Sequence, residues 1–84
     1  MAGVPATGVT AVVLNVTVTA PTEDSHLVVW PHGVARPGAS NLNYLRGQTV
    51  SNLVIVPVVD GQVSFYGAAG SLDLIADLNG YFVG

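Results

Sequence analysis

Apolar and polar residues alternate along much of the chain with a period of two, the spacing of strands that bury one face. The clearest stretch covers residues 9–19, where Val12, Leu14, Val16 and Val18 share one parity and Asn15, Thr17 and Thr19 share the other. A polar connection from Pro21 to Ser25 leads into a short extended run at 26–30, which directs Leu27 and Val29 to the core and stops at Pro31, His32 and Gly33. The loop at 33–38 is rich in special conformations: Pro37 holds Arg36 extended, and Gly38 can supply a positive φ. A third strand is expected at 41–45, and Arg46, Gly47 and Gln48 make the next turn.

The segment 49–59 breaks the alternation, because Leu53, Val54, Ile55, Val56, Val58 and Val59 place apolar groups on both faces. A strand apolar on both sides is either central in its sheet or part of an interface. Asp60-Gly61 then reads as a type I′ turn, which predicts that the strands on either side of it, the second at 63–66, pair as an antiparallel hairpin. Gly67, Ala68, Ala69 and Gly70 turn the chain into a last strand at 72–82. Six short strands with a turn every ten residues or so predict an all-β fold, a small antiparallel, jelly-roll-like β-sandwich with a closed barrel as the alternative. A single flat sheet would leave one apolar face wet. Ser40-Asn41-Leu42 returns as Ser51-Asn52-Leu53, each opening a strand, which is too short an echo to mark a duplication.

Composition sharpens this reading. Sixteen Val and six Thr against ten Gly and five Pro favour strands and interrupt any long helix. With 84 residues the chain has room for a single β domain, 1–84, near the lower limit for a self-sufficient core, and it has no cysteine to staple one. Charged residues are 8% of the chain against about 25% in an ordinary globular sequence, so many surface positions fall to small neutral side chains. Such a surface suits another protein or a neutral ligand. Net charge is −3 and Arg36 and Arg46 are the only fixed cations, which excludes nucleic acid, since phosphate recognition needs clustered Lys and Arg. The apolar runs fall far short of the roughly 20 residues that span a bilayer, so no membrane insertion is expected. Met1-Ala2-Gly3-Val4 lacks the charged head and apolar stretch of a signal peptide, and the compartment is not legible there.

Candidate chemistry is sparse. His26, His32, Glu23, Asp24, Asp60, Asp73 and Asp77 fit no catalytic motif, and Ser25-His26 is a dipeptide without an orienting carboxylate. Asp73 and Asp77 share a strand face with Ile75 between them, which puts their carboxylates about 13 Å apart, too far for a dyad. Edge protection is the simpler role for them. His26 and His32 flank Trp30 but belong to a strand and a turn, so no metal site, cofactor or catalytic residue is expected. Asn15-Val16-Thr17 matches a glycosylation acceptor but lies inside a strand and reads as packing.

Trp30 is more informative: a Trp at a strand end beside Pro31, His32 and Gly33 can lie flat against a ligand, although a Trp there can equally anchor a core or an interface. Asn41, Asn43 and Asn52 offer amide donors and acceptors that suit sugar hydroxyls, with an inward amide ladder or turn hydrogen bonds as the plain alternative. Trp30, His32, Asn41, Asn43 and Tyr44 are therefore the expected ligand contacts. Leu53, Ile55 and Val59, on the two-sided apolar segment, are the expected interface residues of a homo-oligomer.

Four phrases in order, Ala11-Val12-Val13-Leu14-Asn15-Val16-Thr17-Val18-Thr19, Arg36-Pro37 with Ala39-Ser40-Asn41-Leu42-Asn43-Tyr44, Gly47-Gln48-Thr49-Val50 with Asn52-Leu53-Val54, and Leu74-Ile75-Ala76-Asp77-Leu78-Asn79-Gly80-Tyr81-Phe82, span nearly the whole chain. They resemble a repeated module of secreted and cell-surface actinobacterial proteins, often attached to exported hydrolases of cell walls and polysaccharides. The resemblance implies a secreted or cell-surface, non-catalytic β module that attaches an enzyme or a surface to a glycan or cell-wall polysaccharide. It supplies no binding residues to carry over. The repeat usually begins with a further segment bearing an Arg/Asp-rich motif, after which this sequence starts; if that segment supplies a strand, its place is empty, remodelled or filled by a neighbour. Two functions are thus expected: carbohydrate binding or surface attachment, and alternatively self-assembly through apolar strand faces.

Overall fold

The computed structural model describes residues 8–84, and those residues are all-β, without helix. Six strands form: β1 (Val9–Thr19), β2 (Ser25–Pro31), β3 (Leu42–Tyr44), β4 (Val50–Pro57), β5 (Val63–Gly67) and β6 (Asp73–Val83). They make two three-stranded antiparallel sheets, ordered β4-β1-β6 and β3-β2-β5. The sheets face one another as a sandwich and neither closes into a barrel. Only β2 and β3 follow one another within a sheet; every other connection crosses to the opposite sheet.

The alternation in β1 builds the core. Val12, Leu14, Val16 and Val18 are all at most 2% exposed and pack with Leu27, Val29, Leu42, Tyr44, Val54 and Val56. β1 is the central strand of its sheet, with Leu14 opposite Val54 on one side and Leu78 on the other. Burying a side chain of this size stabilises by about 1.5–3 kcal/mol, so this one apolar row is the backbone of the domain's stability. On the opposite face of the same strands, Thr17 Oγ1 and Ser51 Oγ share a hydrogen bond of 2.7 Å, and Thr19 and Thr49 hydroxyls one of 3.0 Å.

The expected hairpin does not form. Asp60 and Gly61 adopt the two positive φ angles of a type I′ turn, +52° and +70°, but only one bridge, Val59 with Gln62, closes it. β4 pairs with β1 and β5 with β2, so the turn carries the chain between sheets. Local chemistry specified the reversal, while strand partners were chosen by burial: Val54 and Val56 complete the row against β1. Pro57, which lacks an N–H, ends β4 two residues short of the expected boundary.

The two-sided apolarity of 49–59 also has a different outcome from a central strand. β4 is an edge strand; its Val54 and Val56 are buried, whereas Leu53 and Ile55 on the outer face are 55% and 63% exposed. β3 covers three residues rather than the expected five, and Asn41 stands just before it.

Candidate functional site

The outer face of the β3-β2-β5 sheet and the loop beside it bring together Trp30, Tyr66, both histidines and Arg36. Residues directly opposite one another in an antiparallel pair share a face. Val28 faces Tyr66, Trp30 faces Ser64, and His26 faces Asn43. Val28 is 2% exposed although it lies outside the main core cluster, so a second, smaller apolar centre exists on this face.

The loop after β2 folds back over that centre. The Trp30 indole donates from Nε1 to the Val34 carbonyl at 2.8 Å, and the Arg36 guanidinium lies 3.8 Å from the centroid of the Tyr66 ring. Gly33, at φ +79°, makes the reversal that brings the loop round. An exposed cation on an aromatic face contributes about 0.5–1 kcal/mol, enough to hold the loop in register without burying it. His32 Nδ1 and Ser64 Oγ stand 3.4 Å apart, a long contact in which either can donate. Trp30 and Tyr66 stay half-buried and His32 and Arg36 exposed, so the face offers aromatic surface rimmed by donors and acceptors.

The residues expected to contact a ligand divide into two groups. Trp30, His32 and Asn43 lie on or beside this face; Asn43 is exposed, and its Oδ1 accepts from Ser40 Oγ at 2.9 Å. Asn41 and Tyr44 point elsewhere. Asn41 Oδ1 accepts from the Val29 N–H at 2.8 Å, its N–H donates to the Leu27 carbonyl at 2.9 Å, and its carbonyl accepts from Asn52 Nδ2 at 2.8 Å. This amide continues the β2–β3 ladder beyond its last backbone pair and ties it to β4. Tyr44 is 3% exposed in the core, and its hydroxyl makes no hydrogen bond within the described protein. Alternation foretells both placements: Tyr44 shares the parity of Leu42, and Asn43 the opposite one.

Tyr66 and Arg36 were not expected at a site. Their signal was weak, since Tyr66 is one member of an alternating run and Arg36 a loop cation, and only the pairing of β5 with β2 puts them together. Of the expected interface residues, Leu53 and Ile55 share the outer face of the other sheet, and Val59 lies in the inter-sheet turn, 37% exposed.

Neither His26 nor His32 hydrogen-bonds a carboxylate among the described residues, and Asp24 instead accepts from the Arg46 N–H at 2.7 Å. No three His, Cys, Asp or Glu among the described residues gather into a set able to hold a metal ion. Compared with family models, curated proteins and solved structures, the chain shows no match.

Proposed function

We propose that this chain is a non-catalytic carbohydrate-binding or surface-attachment module whose contact surface is the outer face of the β3-β2-β5 sheet. The observation that carries the reading is the grouping of Trp30, Tyr66, Arg36, His32 and Ser64 around the loop at 32–36. A sugar ring presents apolar C–H faces and a belt of hydroxyls. Trp30 supplies flat apolar area at small entropic cost, Arg36 capping the Tyr66 ring beside it, and His32, Ser64, His26 and Asn43 supply hydrogen-bonding groups around it. The Val34 carbonyl fixes the indole in place, which lowers the ordering cost of contact.

A nearly planar face with exposed polar rims makes a shallow contact, so affinity per copy is weak. The secreted or cell-surface setting, and a glycan or cell-wall polysaccharide as partner, rest on the sequence resemblance to the exported actinobacterial module. The test is a glycan array followed by titration of any hit. Binding should persist at high salt for a neutral glycan and fall about tenfold or more, ~1.4 kcal/mol, in Trp30→Ala, with Asn43→Ala giving a smaller loss. Unchanged affinity in Trp30→Ala, with the fold intact by circular dichroism, would refute this surface as the contact.

A second reading, self-assembly, is favoured by one separate observation. Seven large apolar side chains on the β4-β1-β6 sheet, Leu53, Ile55, Leu74, Ile75, Tyr81, Phe82 and Val83, are between 37% and 68% exposed.

A further inference from the structure

β6 is the least protected element of the fold. It runs for eleven residues at the edge of its sheet, it is held through β1, and nine of its residues are exposed. The packing explains why. β4, at the opposite edge, covers β2 and β3, so the second sheet sits over the β4 side and leaves β6 overhanging. The strand is consequently wet on both faces: Leu74 and Ala76, opposite the buried Val18 and Val16, point toward the side of the core, while Ile75 and Phe82 point outward.

Such an edge is a template for another strand, because among the described residues one row of its backbone N–H and C=O groups has no partner within the sheet. β4 is poorly suited by comparison: it is shorter and ends at Pro57, and Asn52 is bonded to the Asn41 carbonyl beside β3. Soluble chains usually blunt a long edge with charge. On β6 the only charges are Asp73 and Asp77, both in its first half, and the second half, Asn79 to Val83, is neutral.

Resting on the self-assembly reading above, we propose that β6 is the docking strand for a second copy of this chain, pairing antiparallel with its own counterpart about a two-fold axis. For a second copy, the charge distribution selects the direction. Antiparallel pairing sets the acidic half of each strand against the neutral half of the other, whereas parallel pairing would stack Asp73 on Asp73 and Asp77 on Asp77. The area is sufficient. Five β6 side chains, Leu74, Ile75, Tyr81, Phe82 and Val83, are exposed by 37%, 49%, 45%, 51% and 68%. Taking a large apolar residue as ~200 Å², they offer at most about 500 Å² per copy, so two copies bury at most about 1,000 Å² with the backbone of these residues included. That reaches the lower bound of a specific interface. The irregularity of β6 opposite Val13 and Leu14 divides the strand near Asn79, so the pairing occurs in two short segments.

Light scattering coupled to size exclusion tests this on the full chain. The expected mass is twice the 8.6 kDa of one chain. Phe82→Asp brings a third carboxylate opposite the acidic half of the neighbour and should give a monomer with an unchanged far-ultraviolet spectrum. Phe82→Lys removes the same apolar ring but places a cation there, and should retain more dimer than Phe82→Asp. Hydrogen exchange supplies a readout independent of either variant: alternate β6 amides should be protected in the dimer and exchange quickly after dilution to monomer. A wild-type monomer throughout the micromolar range overturns the proposal. An oligomer that survives Phe82→Asp with fast-exchanging β6 amides overturns it too, and moves the interface to the face bearing Leu53 and Ile55.

Discussion

Asn41→Ala isolates one hydrogen bond whose loss can be sized from the structure. The substitution keeps both backbone bonds of residue 41 and removes the side-chain amide, whose Oδ1 accepts from the Val29 N–H at 2.8 Å. Val29 is 4% exposed, so its amide would be left in a nearly dry position without an acceptor. Leaving a buried donor unsatisfied costs about 1–3 kcal/mol. Loss of Asn52 docking is a smaller term, because Nδ2 of Asn52 is exposed and meets a backbone carbonyl that remains. A domain of this length is stable by only about 4–13 kcal/mol, so the change removes a sizeable share. At about 4–8 °C per kcal/mol for a domain of this size, the melting temperature falls by roughly 5–20 °C. Asn41→Asp keeps an acceptor at the same place and should recover most of the loss. Urea unfolding followed through Trp30 fluorescence provides the measurement, and an unchanged slope would show that the denatured state is not the cause. If Asn41→Ala is as stable as the parent, or if Asn41→Asp is as damaged as Ala, the acceptor role is refuted. Glycan affinity of the folded fraction should be the same in all three proteins, which separates this tether from the Trp30 surface.

Two further substitutions probe the packing. Tyr44→Phe removes a buried hydroxyl that makes no hydrogen bond within the described protein, and should raise stability by about 1 kcal/mol in the same urea assay, with a fall counting against the reading. Gly70→Ala combines a left-handed backbone, φ +67°, with a Cβ that would stand 2.5 Å from Thr22 Oγ1. That hydroxyl is held by the Ser71 N–H at 2.9 Å. Gly47→Ala has φ +76° but open space around the new methyl, so it should show the backbone penalty alone, about 1–2 kcal/mol. Equal losses at the two positions in thermal melts would remove the steric argument at Gly70.

The period-two pattern, the placement of Pro and Gly, and the near absence of charge were enough to determine the strands, the buried row Val12, Leu14, Val16 and Val18, and the sandwich class. These are local properties: parity decides which face is apolar, and Asp60-Gly61 adopts its positive φ angles whatever the strands beyond it do. Pairing is not local. That β4 joins β1 and β5 joins β2 was decided by which rows could bury one another, and the expected hairpin lost to that demand. The same decision assembled the candidate surface, since Arg36 and Tyr66 meet Trp30 only when β5 lies beside β2. It also left β6 bare. An alternating strand reads the same in sequence whether its apolar side is covered or not, and only the offset of one sheet on the other determines which it is.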